Sequence, residues 1–275
     1  MSDFLTRMAA RSGARVMGAR RREGEAALAR RAFTTPAPPG LRLSTEGFDL
    51  IAEIKRRSPA EGSLAPGMDG VGPRASAYAA GGAAMLSVVT EPSAFRGSLG
   101  DVADAARVAP VPVMRKDFLV DPYQVLQARA AGAGAILLVL RILDDTRLVA
   151  MLEMAAQCHL AVLLEAFDEA DLLRCSAVTA LADHLGVTPL VGVNARDLTT
   201  LAVDPLRHER LAAFLPVGVP AVAESGLHTR EDARRVAALG YHLALVGGSL
   251  MRAADPRELV REMVQAGREA RRASA

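Results

Sequence analysis

Aromatic side chains are scarce in this sequence. There is no tryptophan, and seven phenylalanines and three tyrosines serve 275 residues. With 51% of positions hydrophobic, the interior has to be built from alanine, valine and leucine, which suits parallel strands covered by helices. Long apolar runs are also missing. No stretch approaches the length of about 20 residues that crosses a bilayer, and the segment MSDFLTRMAARSGARV lacks the apolar core of an export signal. A soluble, cytoplasmic protein with no membrane partner is expected. Cys158 and Cys175 lack metal-ligand spacing, which fits a reducing compartment. No HxxxH, CxxC or acidic triad points to a metal, the five histidines are scattered and mostly off the expected site, and no GxGxxG joins a strand to a helix. Neither metal nor cofactor is expected, so side chains alone must carry any chemistry. Charge of one sign is not in excess either. The net charge is +2, and the arginines are spread among 31 acids rather than gathered in one arm, so nucleic acid is not the expected partner.

Lysine is the most telling shortage. Of 33 basic residues only Lys55 and Lys116 are lysine, which leaves 31 arginines. Arginine stays charged at any ordinary pH, whereas a lysine that is desolvated or set beside other charges can lose its proton near neutrality. Acid–base work is therefore the reading that explains why lysine persists at two places. The alternative is that both are simple surface charges.

What the chain does have is a repeating pattern. Residues 3–33 place Phe4, Leu5, Met8, Val16 and Leu28 at helical spacing before TTPAPPG interrupts it. The spacing predicts a helical extension over residues 1–45 that precedes a main domain over 46–275. From Phe48 onward, eight short apolar runs end at Lys55, Glu91, Lys116, Leu140, Glu165, Asn194, Ser225 and Gly248. Helical patterns fill the intervals, among them residues 121–134, 144–158 and 229–241, and the longer stretch from Glu165 to Asn194 reads as one extended crossover helix or a helix with a small insertion. An amphipathic helix closes the chain. Eight such units in one domain predict the α/β class and a closed (β/α)8 TIM barrel.

In such a barrel the strand C-termini share one mouth, and the chemically useful residues fall there. Glu53 and Lys55 are two apart, so they point to the same side. Lys116 ends the third run, Glu165 the fifth and Asn194 the sixth, with Arg196 just beyond, and Glu224 with Ser225 ends the seventh. Each acid has a plainer reading as a partner for a nearby cation, but five strand ends carrying such groups favour a site. The stretches ESG (224–226) and VGGSL (246–250) can present backbone N–H groups to a phosphate, where barrels commonly bind one. Ser58 in KRRSPAEG suits the same anion, while Arg56 and Arg57 read equally well as surface charge.

The motifs IAEIKRRSPAEG, SVVTEPSAFRGSL, PVMRKDFLVDPYQ, LLEAFDEADL, VGVNARDLTTLAVD, AVAESGL and LVGGSLMR, in this order over residues 46–255, resemble the indole-3-glycerol phosphate synthase family. The resemblance implies a carboxy-lyase of tryptophan biosynthesis. It would close 1-(2-carboxyphenylamino)-1-deoxyribulose 5-phosphate to indole-3-glycerol phosphate, with loss of carbon dioxide and water. It implies Lys116 as general acid, Glu165 as the group that meets the ring proton, Glu53 with Lys55 for the dehydration, and Asn194 and Glu224 as orienting residues. The phosphate would meet Ser225, Gly226, Gly247 and Gly248, helped by Lys55 and Arg196. Phe95 and Phe118 would sandwich the aromatic ring, lined by Leu137, Val139 and Leu198, although both phenylalanines also suit ordinary core packing. The partner is then a small phosphorylated molecule, and the protein a monomer or homodimer. The resemblance also implies that the N-terminal extension caps the barrel mouth. Three departures stand out: a segment between Glu165 and Asn194 that is several residues longer, Phe167 where many members have histidine, and an N-terminal extension with little similarity. A sister barrel such as phosphoribosylanthranilate isomerase shares the fold and phosphate grip but gives no reason for the Glu-x-Lys and Lys-Asp-Phe pair; a non-catalytic binding paralogue gives no reason for the intact acids and lysines.

Overall fold

The structure, a computed structural model, describes residues 4–64, 70–198 and 200–274. The first three residues of the expected extension, 65–69 of the loop after the first strand, Thr199 of the NARDLTT motif and the final residue lie outside the described residues. Eight parallel strands close on themselves: β1 (Asp49–Ile54), β2 (Met85–Val89), β3 (Val113–Lys116), β4 (Ala135–Val139), β5 (Ala161–Ala166), β6 (Pro189–Asn194), β7 (Ala221–Glu224) and β8 (Leu243–Val246). Each pairs with its neighbours in sequence, and β1 pairs with both β2 and β8. The predicted barrel is therefore the observed one. Nearly every strand residue is buried, because the pleat turns one side to the barrel interior and the other to the helices.

Those helices are α3 (Gly72–Ala80), α4 (Leu99–Val108), α5 (Pro122–Ala130), α6 (Asp145–Gln157), α7 (Glu169–His184), α8 (Arg207–Ala212), α9 (Arg230–Ala238), the short α10 (Gly248–Arg252) and α11 (Pro256–Ser274). Local chemistry sets their ends. Ser98 and Asp101 form a capping box at α4, as do Thr229 and Asp232 at α9, and the Asp121 carboxylate accepts from the Tyr123 N–H at α5. A cap of this kind contributes about 1 kcal/mol. The stretch between Glu165 and Asn194 resolves as the single helix α7, without an insertion. At the N-terminus the expected run over 3–33 is two helices, α1 (Phe4–Arg22) and α2 (Glu25–Thr34), because the chain at Gly24 is extended (φ −63°, ψ 150°).

Two apolar cores result. The larger lies between strands and helices and takes in Leu28 and Ala32 of α2, so the extension shares it. The smaller fills the barrel: Ile51, Met114, Leu163, Leu190, Val222 and Leu243, among others, with Met8 of α1 joining at the top. Two residues further along the same strands, the same inward-facing register carries Glu53, Lys116, Glu165, Gly192 and Glu224. Alternation thus stacks a charged layer on an apolar floor.

Candidate active site

Charges at that depth are stable only in pairs, since moving an unpaired one out of water costs several kcal/mol. Lys116, the last residue of β3, sends its Nζ between Glu224 Oε2 at 2.9 Å and Glu165 Oε2 at 3.2 Å. Asn194, at the end of β6, donates from Nδ2 to Glu165 Oε1 at 2.7 Å and accepts the Arg196 N–H through Oδ1 at 2.9 Å. A separate pair stands at β1, where Lys55 Nζ lies 2.8 Å from Glu53 Oε1. All six predicted catalytic residues therefore border one cavity at the mouth.

Electrostatics assign them different characters. Burial alone would lower the Lys116 pKa, but Glu165, Glu224 and Glu53 outweigh it and raise the pKa above that of a free lysine. Its neighbours hold this lysine charged. The group brought near neutrality is Glu224, raised from 4.5 to about 7 by burial against the attraction of Lys116, with Glu165 and Glu53 adding to the rise. Its Oε1 is buried and has no hydrogen-bond partner among the described residues. Glu53 is the opposite case. Burial pushes its pKa up, yet Lys55 and Lys116 together bring it below the usual carboxylate value.

Two glycines make this charged layer possible, one foreseen and one not. A Cβ at Gly247 would collide with Glu53 Oε1 and stand 3.1 Å from Lys55 Nζ. At Gly192 it would collide with Glu224 Oε1. Gly192 was hidden in the sequence by its place inside the strand run PLVGVN; its inward register, two residues before Asn194, was the available signal.

The predicted binding residues Ser58, Phe95, Phe118, Leu137, Val139, Arg196, Leu198, Ser225, Gly226, Gly247 and Gly248 border the same cavity. Ser225 and Gly226 take left-handed backbone, φ 68° and 71°, which turns the chain sharply at the end of β7. Phe95 and Phe118 do not form an open slot. Their centroids are 6.4 Å apart with planes at 43°, whereas a ring held between two faces needs roughly 7 Å and near-parallel planes. Phe4 of α1 completes the apolar wall, meeting Phe118 edge-on at 5.8 Å. Its role was unforeseen, as was that of Glu61, which lies between Arg196 and Arg252 at the cavity.

Arg15 of α1 ties this wall together. It reaches Asp117 Oδ1 at 2.7 Å and Glu91 Oε1 at 3.4 Å. Asp117 in turn accepts from the Phe118 N–H, Thr90 and the buried Arg115, while Glu91 accepts from the N–H groups of Ser93, Ala94 and Phe95. Glu91 was expected to end β2; the strand stops at Val89, which frees that carboxylate to organise the loop carrying Phe95. Arg56, which read equally as surface charge, pairs with Asp101 at 2.6 Å. Phe167 is buried beneath the Arg141 guanidinium, 5.0 Å from ring to Cζ, and borders a different cavity beside α1. Among the histidines, His228 borders the site, whereas His208 lies buried behind β6 and β7 with its pKa lowered to about 4 by burial.

The chain is similar to known proteins in sequence and in fold. A sequence model of the family described as indole-3-glycerol phosphate synthase matches residues 6–263. The chain is 44% identical over 245 residues to an indole-3-glycerol phosphate synthase from Parafrankia sp., with 88% of each chain covered. It is 40% identical over 265 residues to that of Azospirillum brasilense, covering 93% of this chain and 96% of the relative. Among solved structures, 3-hexulose-6-phosphate synthase from Salmonella typhimurium superposes with a TM-score of 0.60 at 14% identity, covering 81% of this chain and all of the other. Thiamine phosphate pyrophosphorylase from Pyrococcus furiosus gives 0.57 at 16%, covering 82% and 97%. At these identities the two share the fold.

Proposed function

Since the chain belongs to the indole-3-glycerol phosphate synthase family, we propose that it closes 1-(2-carboxyphenylamino)-1-deoxyribulose 5-phosphate to indole-3-glycerol phosphate, releasing carbon dioxide and water. The observation that carries this reading is a single lysine clamped by two carboxylates at the floor of a mouth whose other side offers cations and glycine-rich turns. Ring attack on the ketone breaks aromaticity and builds negative charge on oxygen, so a proton donor held in place lowers the barrier. Lys116 is that donor. The two carboxylates keep it charged until the oxygen needs the proton, and Glu224, titrating near neutrality, is placed to return one.

Loss of carbon dioxide from the quaternary ring carbon restores aromatic bonding in the carbocycle. Glu165, held by Asn194, stabilises the cationic ring system formed as the hydroxyl departs and accepts the proton lost from the ring CH2 beside the nitrogen, which closes the indole double bond. The Lys55–Glu53 pair assists departure of the hydroxyl. Lys55, Arg196, Ser58 and the N–H groups of Gly226, Gly247 and Gly248 receive the phosphate, and the wall of Phe4, Phe95 and Phe118 receives the ring. We assign residues 1–45 to a capping extension whose first helix supplies part of that wall, and 46–275 to the catalytic barrel.

The test is fluorescence detection of indole-3-glycerol phosphate formed by the purified protein, without added metal or cofactor, beside Lys116→Ala. Turnover by the wild type that falls by about 10³ in the variant is expected. A wild type that binds the substrate without converting it would overturn the assignment.

A further inference from the structure

Just beyond β1 the chain makes a tight antiparallel hairpin, Arg57–Ser58 against Gly62–Ser63, with Glu61 in its turn. The Glu61 N–H donates to the Ser58 carbonyl at 3.3 Å, and Gly62 takes φ 74°, which folds the turn back over the mouth. The Glu61 side chain is thereby carried across to the β8 side of the barrel. Its Oε2 accepts from Arg252 Nη1, and its Oε1 lies 3.7 Å from Arg196 Nη2. The carboxylate is so close to Gly248 that a Cβ there would stand 2.8 Å from Oε2.

Glu53, Glu165 and Glu224 each accompany one of the two lysines. Glu61 accompanies arginines, and no step of the proposed reaction uses it. Its carboxylate occupies ground beside Gly248 and Arg196, two of the groups assigned to the substrate phosphate. Two anions cannot share these partners without strong repulsion. The pair with Arg252 is partly open to solvent, 26% exposed at Glu61 and 48% at Arg252, so it holds the carboxylate only weakly and lets it leave.

We propose that Glu61 is a built-in competitor for the phosphate grip: its carboxylate rests against Arg196, Arg252 and Gly248 before substrate arrives and is displaced by the incoming phosphate. The inference rests on the reading of that region as the phosphate site. Affinity for the phosphorylated substrate is then set by the difference between two anions at one place, and the Arg57–Ser63 hairpin moves when the exchange occurs.

Binding of inorganic phosphate to the full chain, measured by titration calorimetry for wild type, Glu61→Gln and Glu61→Ala, tests this directly. Both variants should bind phosphate at least about threefold more tightly than wild type, because a like charge has been removed from beside the ligand. The KM for the phosphorylated substrate should fall in parallel. Equal or weaker phosphate binding by both variants overturns the proposal and makes Glu61 a simple partner of Arg252. Because phosphate binding is read without turnover, a wild type that fails to make indole-3-glycerol phosphate would count against the assigned reaction, and the calorimetry would still decide the role of Glu61.

Discussion

Lys116 and Lys55 stand at one mouth in one barrel, yet their surroundings differ. Lys116 ends β3 and is clamped by two carboxylates from β5 and β7, over an apolar floor. Lys55 lies one residue past β1, pairs with the single carboxylate of Glu53, and faces Gly247 and the arginine side of the cavity. The first setting surrounds a cation with more negative charge than it needs and leaves one acid, Glu224, near neutrality. The second balances one charge with one and keeps the cation available to an incoming anion. In the proposed reaction, protonation of the ketone oxygen falls to the first, and anion binding with assistance to the departing hydroxyl to the second, although composition alone makes the two lysines look alike.

Replacing each lysine by arginine should break that symmetry most visibly. Lys116→Arg keeps the charge but removes the proton that can be given up, and kcat should fall by about 10³ with KM little changed. Lys55→Arg retains a cation for the phosphate, so its main effect should be a rise in KM of about three- to tenfold. Steady-state fluorescence assays separate the two, and matching losses of kcat would refute the division of labour.

A smaller effect should be visible without turnover. The folded-state pKa of Glu224 is about 7 against an ordinary 4.5, so between these values the folded protein keeps a proton that the unfolded chain releases. Stability linked to this group is thus present at low pH and lost as pH rises towards 7. Relative to Glu224→Gln, the wild type should lose about 3 kcal/mol across that window in urea unfolding, following about 1.36 kcal/mol per pH unit. Parallel profiles for the two proteins would mean that Glu224 does not titrate near neutrality and cannot return the proton.

Arg15→Gln should have the smallest effect. Asp117 and Glu91 keep their other hydrogen bonds, and Arg15 is partly exposed, so about 1 kcal/mol of stability should be lost. The informative readout is KM, which should rise about threefold as the loops bearing Phe95 and Phe118 loosen, with kcat held and partial rescue by Arg15→Lys. A fall in kcat alone would mean that α1 acts on Lys116 rather than on the ring wall.

Much of the site was legible because a parallel barrel gathers its strand ends by construction. Once eight runs were recognised, the residues Glu53, Lys116, Glu165, Asn194 and Glu224 had to meet. Less legible were residues whose contribution depends on distant neighbours. Phe4 and Arg15 belong to a helix whose placement over the mouth depends on tertiary packing, and Arg15 contacts Asp117 across 102 positions. Gly192 sits within an ordinary strand run and matters only because Glu224 of the adjacent strand needs its space. Glu91 lay in a run whose end was placed two residues late, because hydrophobic pattern marks the middle of a strand better than its end.

By itself, then, the sequence determined the barrel, through the period of its apolar runs, and the identity of the charged layer, through alternation along each strand. Both are local consequences of backbone geometry. Only the tertiary structure decided which acid accompanies which lysine, that Lys116 is held charged while Glu224 is brought near neutrality, and that Glu61 reaches the far side of the mouth. Those outcomes come from burial and from distances between charges on different strands, and electrostatic energy depends on separation in space rather than in sequence.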